Sequence, residues 1–177
     1  MSINTGANII YVSGGQRSGK SLFAESLALR EDPHPLYIAT SLPPADDDAD
    51  YKARIKKHRE RRGDAWFTYE EPLMLSRVPA ERHVALIDCV TLWATNAYMA
   101  SDGDCTRALA LMTSEFDKMA SRPSTLIFVS NEIGMGGVSP NEMQRRFTDL
   151  QGDINRFIAA RAHSAFLVVS GLPLRLK

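Results

Sequence analysis

Gly14-Gly15-Gln16-Arg17-Ser18-Gly19-Lys20-Ser21 fits the phosphate-binding pattern G-x-x-x-x-G-K-[ST] at every fixed position. On its N-terminal side Ile9-Ile10-Tyr11-Val12 is a β-branched and aromatic run that suits a buried strand. On its C-terminal side Ser21-Leu22-Phe23-Ala24-Glu25-Ser26-Leu27-Ala28-Leu29 carries apolar residues at helical spacing. Strand, glycine loop and helix thus follow in the order that lets backbone N–H groups and the positive end of a helix dipole converge on a phosphate chain. In such a loop Lys20 adds a point charge near the β and γ phosphates and the Ser21 hydroxyl is a ligand for Mg²⁺. The plainer reading, a glycine-rich turn joining strand to helix, leaves the lysine and serine unexplained.

The chain around this loop has 177 residues, the length of one domain spanning residues 1–177. Lys and Arg number 21 and Asp and Glu number 21, so no global field favours nucleic acid or an anionic membrane. Cys89 and Cys105 have neither a C-x-x-C spacing nor the density of a disulfide framework, and the N-terminus shows no signal region. No apolar run approaches the roughly 20 residues that span a bilayer. The expectation is a cytoplasmic protein with no membrane span and no nucleic-acid partner.

Further strands are expected at 36–39, 65–69, 83–88, 125–129 and 165–169, with a short edge strand at 174–177. Helices are expected after the phosphate loop to about Arg30, up to Arg62, over 72–82, from Cys89 or Val90 to Tyr98, over 109–119 and over 140–163. Residues 1–8 read as a frayed start, Trp66, Met112 and Met119 as core, and Arg146, Asp149 and Asn155 as solvated positions. Strands alternating with helices specify an α/β fold with a mostly parallel central sheet, of the three-layer α/β/α phosphate-loop NTPase (RecA-like) kind. Functional groups then belong at the C-terminal ends of the strands. Thr40 and Ser41 follow the 36–39 strand and are either site hydroxyls or turn residues. Asp88 ends an apolar strand and is either a carboxylate for Mg²⁺ beside Ser21 or a helix cap, the phosphate loop favouring the first. Ser130 to Gly137 is a substrate loop or a connector.

The segment after Pro43-Pro44 opens with Asp46, Asp47 and Asp48 and closes with Lys52, Arg54, Lys56, Lys57, His58, Arg59, Arg61 and Arg62 before Gly63. Acid first and base last complement the helix dipole. Tyr51, Ala53 and Ile55 supply only a narrow apolar stripe, so the helix is expected at the periphery. Arg54, His58 and Arg61 or Arg62 share a face. Crowded cations disfavour imidazolium and keep His58 neutral, a form that can attack phosphorus while the arginines hold the anion. A solvated charged face and a nucleic-acid groove are the other readings of the same run.

Taken in order, GGQRSGKS at 14–21, YIATS at 37–41, RIKKHRERR at 54–62, WFTYEEP at 66–72, LIDCVTLW at 86–93, VSNEIGMG at 129–136, RRFTDLQGDIN at 145–155 and the terminal SGLPLRLK resemble the bifunctional adenosylcobinamide kinase / adenosylcobinamide-phosphate guanylyltransferase family of cobalamin biosynthesis. The resemblance implies phosphorylation of the adenosylcobinamide hydroxyl with ATP or GTP, followed by transfer of GMP from GTP to adenosylcobinamide phosphate with release of pyrophosphate. It implies a guanylyl-histidine intermediate on His58, Lys20 as the second catalytic residue, and Mg²⁺ at Ser21 and Asp88. The nucleotide contacts it implies are Gly14, Gly15, Gln16, Arg17, Ser18, Gly19, Lys20, Ser21, Thr40, Ser41, Arg59, Glu60, Arg61, Arg62, Glu70 and Asp88. A homotrimer is implied as well. Where the family commonly reads G-x-G-[IV]-V-P, this chain has Gly136-Gly137-Val138-Ser139-Pro140, with proline one place later.

Two other functions compete. A simple phosphate-loop kinase of another small alcohol would use the loop without a histidine nucleophile. A nucleotide-dependent switch would need a guanine-specifying N-K-x-D, and Asn131-Glu132 is a different pair.

Overall fold

The apolar runs around the phosphate loop and ahead of Asp88 lie near the middle of one seven-stranded sheet, on either side of a strand from later in the chain. The computed structural model describes residues 6–43, 49–79 and 83–177. Its strands are β1 (Asn8–Gly14), β2 (Leu36–Ala39), β3 (Phe67–Glu70), β4 (Val84–Asp88), β5 (Thr125–Asn131), β6 (Ser164–Val169) and β7 (Leu172–Arg175). The helices are α1 (Lys20–Glu31), α2 (Ala49–Arg62), α3 (Val90–Ala100), α4 (Cys105–Ala120) and α5 (Glu142–Arg161). Side chains of Asp50, Tyr51, Arg54, His58 and Arg61 within α2 lie outside the described part. The aspartates 46–48 and the prolines' second member, Pro44, lie outside the described residues altogether.

Strand order is β3-β2-β4-β5-β1-β6-β7. All pairs are parallel except β6–β7, joined by a tight turn at Ser170 and Gly171, both with positive φ (52° and 82°). Pro173 sits in β7, the outer strand, where a missing N–H costs no ladder bond. Because every other connection is a parallel crossover, the sheet is buried on both faces. Ile10, Val12, Leu86, Ile127 and Val129 pack with Ala24 and Ala28 of α1 on one side. Ile9, Tyr11, Ile87, Leu126 and Phe128 pack with α3, α4 and α5 on the other. This is the expected three-layer α/β arrangement, with Trp66, Met112 and Met119 buried.

Several sequence expectations change. Asn8 already belongs to β1, and Ala7 is buried, its N–H donating to Ala120 O at 2.9 Å. Phe67 and Tyr69 are exposed because β3 is the edge strand. Asn155, expected in solvent, is buried at 7 % exposure. Among the described residues of 72–82 no α-helix forms, only a single 3₁₀ turn at Leu75–Arg77. The backbone groups that a helix would pair internally are taken by side chains from elsewhere. Trp93 Nε1 donates to Leu73 O (2.9 Å) and Asn96 Nδ2 to Pro72 O (2.8 Å). Glu71 accepts from the N–H groups of Leu73 and Met74 (3.0 and 2.7 Å), Glu115 from that of Ser76 (2.9 Å), and Arg122 donates to the carbonyls of Ser76 and Val78. Residues 71–79 are therefore a strap stapled over α3 and α4.

Glu115 is the buried staple, 1 % exposed. Burial pulls its pKa upward, but the hydrogen bonds from Lys118 (2.7 Å) and Ser76 outweigh it and hold the carboxyl below its ordinary value. A depressed folded-state pKa means stabilisation that is complete above the unfolded value of about 4.3 and is lost as pH falls through the folded one. Glu115→Gln should cost about 1–3 kcal/mol at neutral pH. In urea unfolding the gap from the parent protein should shrink on acidification; equal stability at neutral pH would remove Glu115 from this role.

Candidate active site

The phosphate loop is shaped by close approaches that only glycine permits. A Cβ on Gly14 would stand 2.5 Å from Val168 O and 2.6 Å from Ser18 Oγ. Gly19 has φ 92°, and a Cβ there would meet Gly171 Cα at 3.1 Å. Gly171 N–H donates to Ser18 O at 2.8 Å, so the β6–β7 turn grips the loop from outside. Arg17 takes φ 59° and is exposed together with Gly15 and Gln16. Helix α1 starts at Lys20 with no side-chain cap from Gly19, which leaves its first N–H groups to an anion. Lys20 is buried and its Nζ donates to Gly15 O at 3.1 Å. The Ser18 hydroxyl is buried without a hydrogen-bond partner inside the loop.

The parallel register aligns the strand ends beside this loop: Gly14 pairs with Asn131, Asp88 with both Val129 and Ala39, and Ala39 with Glu70. They border a cleft of about 200 Å³ lined by Lys20 and Ser21, Tyr37 and Ser41, Asp88, Asn131, and Arg59 and Arg62 of α2. An adjoining hollow of about 360 Å³ shares Ser41, Arg59 and Glu70 with it and adds Lys52, Lys56 and Glu60. Arg59 and Glu70 form an exposed ion pair across the mouth, and Glu60 pairs with Lys56 at 3.8 Å.

The structure redistributes several expected roles. Thr40 is fully buried; its hydroxyl donates to Cys89 O and accepts from Cys89 N–H, both at 2.8 Å, so it ties β2 to the start of α3 instead of facing the cleft. The cap of α3 is Cys89 and makes no side-chain bond, so Asp88 does not cap it. Asp88 Oδ2 instead accepts from Tyr37 Oη at 2.9 Å. Arg62 is buried with its guanidinium 3.6 Å from the centre of the Tyr37 ring. Burial, then the neighbouring Asp88 charge, push the Cys89 thiol up to about 11, which keeps it protonated and unreactive. The side chains of His58 and Arg61 lie outside the described part, but α2 itself borders the cleft through Ile55, Arg59 and Arg62.

Thr91 and Gln151 were given no role from sequence, and Asn155 only that of a solvated position. Thr91 Oγ1 accepts from Asn131 N–H at 3.0 Å and Asn155 Nδ2 donates to Asn131 O at 3.2 Å, fixing the end of β5 from two sides. Asn155 is held by Ser130 (2.6 Å) and Gln151 (2.9 Å). A polar residue on an otherwise apolar helical stripe was the available signal. For a metal, the Ser21 hydroxyl and Asp88 carboxylate are hard oxygen donors in one cleft with Lys20. No group of three or more His, Cys, Asp or Glu among the described residues could hold an ion alone. That donor set fits Mg²⁺, which binds through one or two protein oxygens plus substrate phosphates.

A family model described as cobinamide kinase / cobinamide phosphate guanyltransferase matches residues 10–176. The chain belongs to this family. It is 38% identical over 170 residues to the bifunctional adenosylcobalamin biosynthesis protein CobP of Pseudomonas aeruginosa, covering 94% of this chain and 95% of that protein. It is also 35% identical to CobU of Escherichia coli and 34% identical to CobU of Salmonella typhimurium, each named a bifunctional adenosylcobalamin biosynthesis protein, over 96% of this chain and 99% of theirs. No helix among the described residues is long and apolar enough to cross a membrane.

Lys20→Ala should reduce phosphoryl transfer by a factor equivalent to about 3–4 kcal/mol of transition-state stabilisation while circular dichroism stays that of the folded protein. Near-parental turnover would show that the loop does not hold the reacting phosphates.

Proposed function

We propose that this chain is a bifunctional enzyme that phosphorylates adenosylcobinamide and then joins GMP from GTP to the product, giving adenosylcobinamide-GDP and pyrophosphate. The observation that carries this reading is that the phosphate loop and the helix bearing His58 border one cleft, Lys20, Ser21 and Asp88 on one wall and Arg59 and Arg62 on the other. A simple kinase could use the arginines of that second wall, but only the guanylyl transfer uses a histidine on the same helix.

In the kinase step the loop N–H groups and Lys20 hold the β and γ phosphates of ATP or GTP while the acceptor hydroxyl displaces the nucleoside diphosphate. Ser21 and Asp88 would hold Mg²⁺, whose charge would offset that developing on the transferred group. In the guanylyl step neutral His58 attacks the α phosphorus of GTP. A P–N bond forms, the α–β bridging P–O bond breaks, and pyrophosphate departs with its electrons. An oxygen of the corrinoid phosphate then attacks the same phosphorus, the P–N bond breaks, and neutral imidazole is returned. Arg59, Arg61 and Arg62 hold the triphosphate during the exchange, Ser41 and Glu70 border the nucleotide, and Glu60 keeps Lys56 in place. We further assign the chain to one domain that works as a cytoplasmic homotrimer, in which the weakly apolar α2 sits near a subunit boundary.

His58→Ala should abolish acid-labile labelling of the protein by α-³²P-GTP, while phosphorylation of adenosylcobinamide survives in part. Labelled His58→Ala protein, or peptide mapping that places GMP on Lys20 or Lys57, would overturn the histidine mechanism.

A further inference from the structure

Tyr37 is 4 % exposed and touches both walls of the cleft. Parallel pairing places Ala39 opposite Asp88 and Tyr37 opposite Leu86. Tyr37 therefore stands one pleat below the carboxylate on the same face, and its Oη reaches Asp88 Oδ2 at 2.9 Å. Over the ring lies the Arg62 guanidinium at 3.6 Å, and Trp66 closes its edge at 5.8 Å with the planes at 87°. A phenol hydroxyl is a hydrogen-bond donor at neutral pH, and an ionised carboxylate can only accept.

We propose that Tyr37 is the positioning residue for Asp88, and that through Arg62 it ties the orientation of that carboxylate to the seating of α2. The inference rests on the reading of Asp88 as a metal carboxylate. A carboxylate on a short side chain can rotate; a donor fixed to Oδ2 stops the rotation and would leave the other oxygen available to a cation. Arg62 lies on the ring face at 3.6 Å, where the cation–π attraction is felt. Its position at the last residue of α2 makes the ring a mechanical link between the helix with His58 and the carboxylate beside Ser21.

The test uses the full chain and Mn²⁺ as a spectroscopic substitute for Mg²⁺. Its affinity in the presence of a non-hydrolysable GTP analogue is read by electron paramagnetic resonance, alongside the Mg²⁺ titration of phosphoryl transfer. Tyr37→Phe keeps the ring and the stacking and removes only the donor. It should raise the half-saturating metal concentration about tenfold, and Arg62→Met should shift it in the same direction by more than any loss of analogue affinity measured without metal. If Asp88→Asn shifts the titration and Tyr37→Phe does not, the positioning role is wrong and the metal reading of Asp88 stands. If Tyr37→Phe lowers only the thermal midpoint, its role is structural and the inference fails. If Arg62→Met leaves the affinity unchanged, the link to α2 fails. If none of the three shifts it, the metal reading falls and the inference with it.

Discussion

The end of β1 has no room for a side chain. Val168 O and Ser18 Oγ approach Gly14 so closely that a Cβ would lie within 2.6 Å of each. Only glycine fits there, and beyond it the chain turns so that α1 starts at Lys20, whose Nζ reaches back to Gly15 O. The other cleft residues are placed relative to this point by parallel register. Gly14 fixes Asn131 across β5, β5 fixes Asp88 through Val129, and Asp88 fixes Ala39 and Tyr37 on β2. A helix with few apolar residues can then be seated against the site by the stacked Arg62 together with the Arg59–Glu70 pair, because the rigid half is already built.

Polar side chains finish what the sheet begins. The carbonyls and N–H groups of the 71–79 strap are matched by Trp93, Asn96, Glu115 and Arg122. Asn96 Nδ2 also donates to Thr40 O at 2.8 Å, so the same residue anchors the strap and the end of β2. A buried polar group is tolerated because it is paired, and here the pairing partners are the backbone segments that border the cleft. Stability and site geometry share these bonds.

Those bonds also mark where sequence reading stops. The phosphate loop, the buried strands and the long C-terminal helix were legible because each rests on local pattern: glycine spacing, β-branched runs, helical periodicity. The 72–82 segment has the composition of a helix, but over its described residues, 72–79, that is overridden chiefly by side chains distant in sequence. Thr40 and Asp88 were recognisable as polar residues at strand ends, yet their partners, Cys89 and Tyr37, come from the neighbouring strand's edge and follow only from register. Asn155 breaks an apolar stripe, a local signal, but its reason lies at Ser130 and Asn131. Arg62 looked like one more cation in a charged run; what distinguishes it is an aromatic ring 3.6 Å away on another element.

The strand order has a kinetic consequence. β1 pairs only with β5 and β6, so Ile10 must find Ile127 and Ser164 before its backbone is satisfied. Contacts this distant along the chain carry a loop-closure cost before they return any stabilisation, and parallel sheets built on them assemble slowly. Until β5 and β6 have been made, β1 is apolar and without either neighbour, an edge that invites pairing with the wrong strand. The loop behind it cannot take its working shape until Val168 and Gly171 close on Gly14 and Ser18. Nucleotide binding thus depends on β6 and its turn being in place, so a nucleotide analogue would select chains whose β1 has been enclosed on both sides.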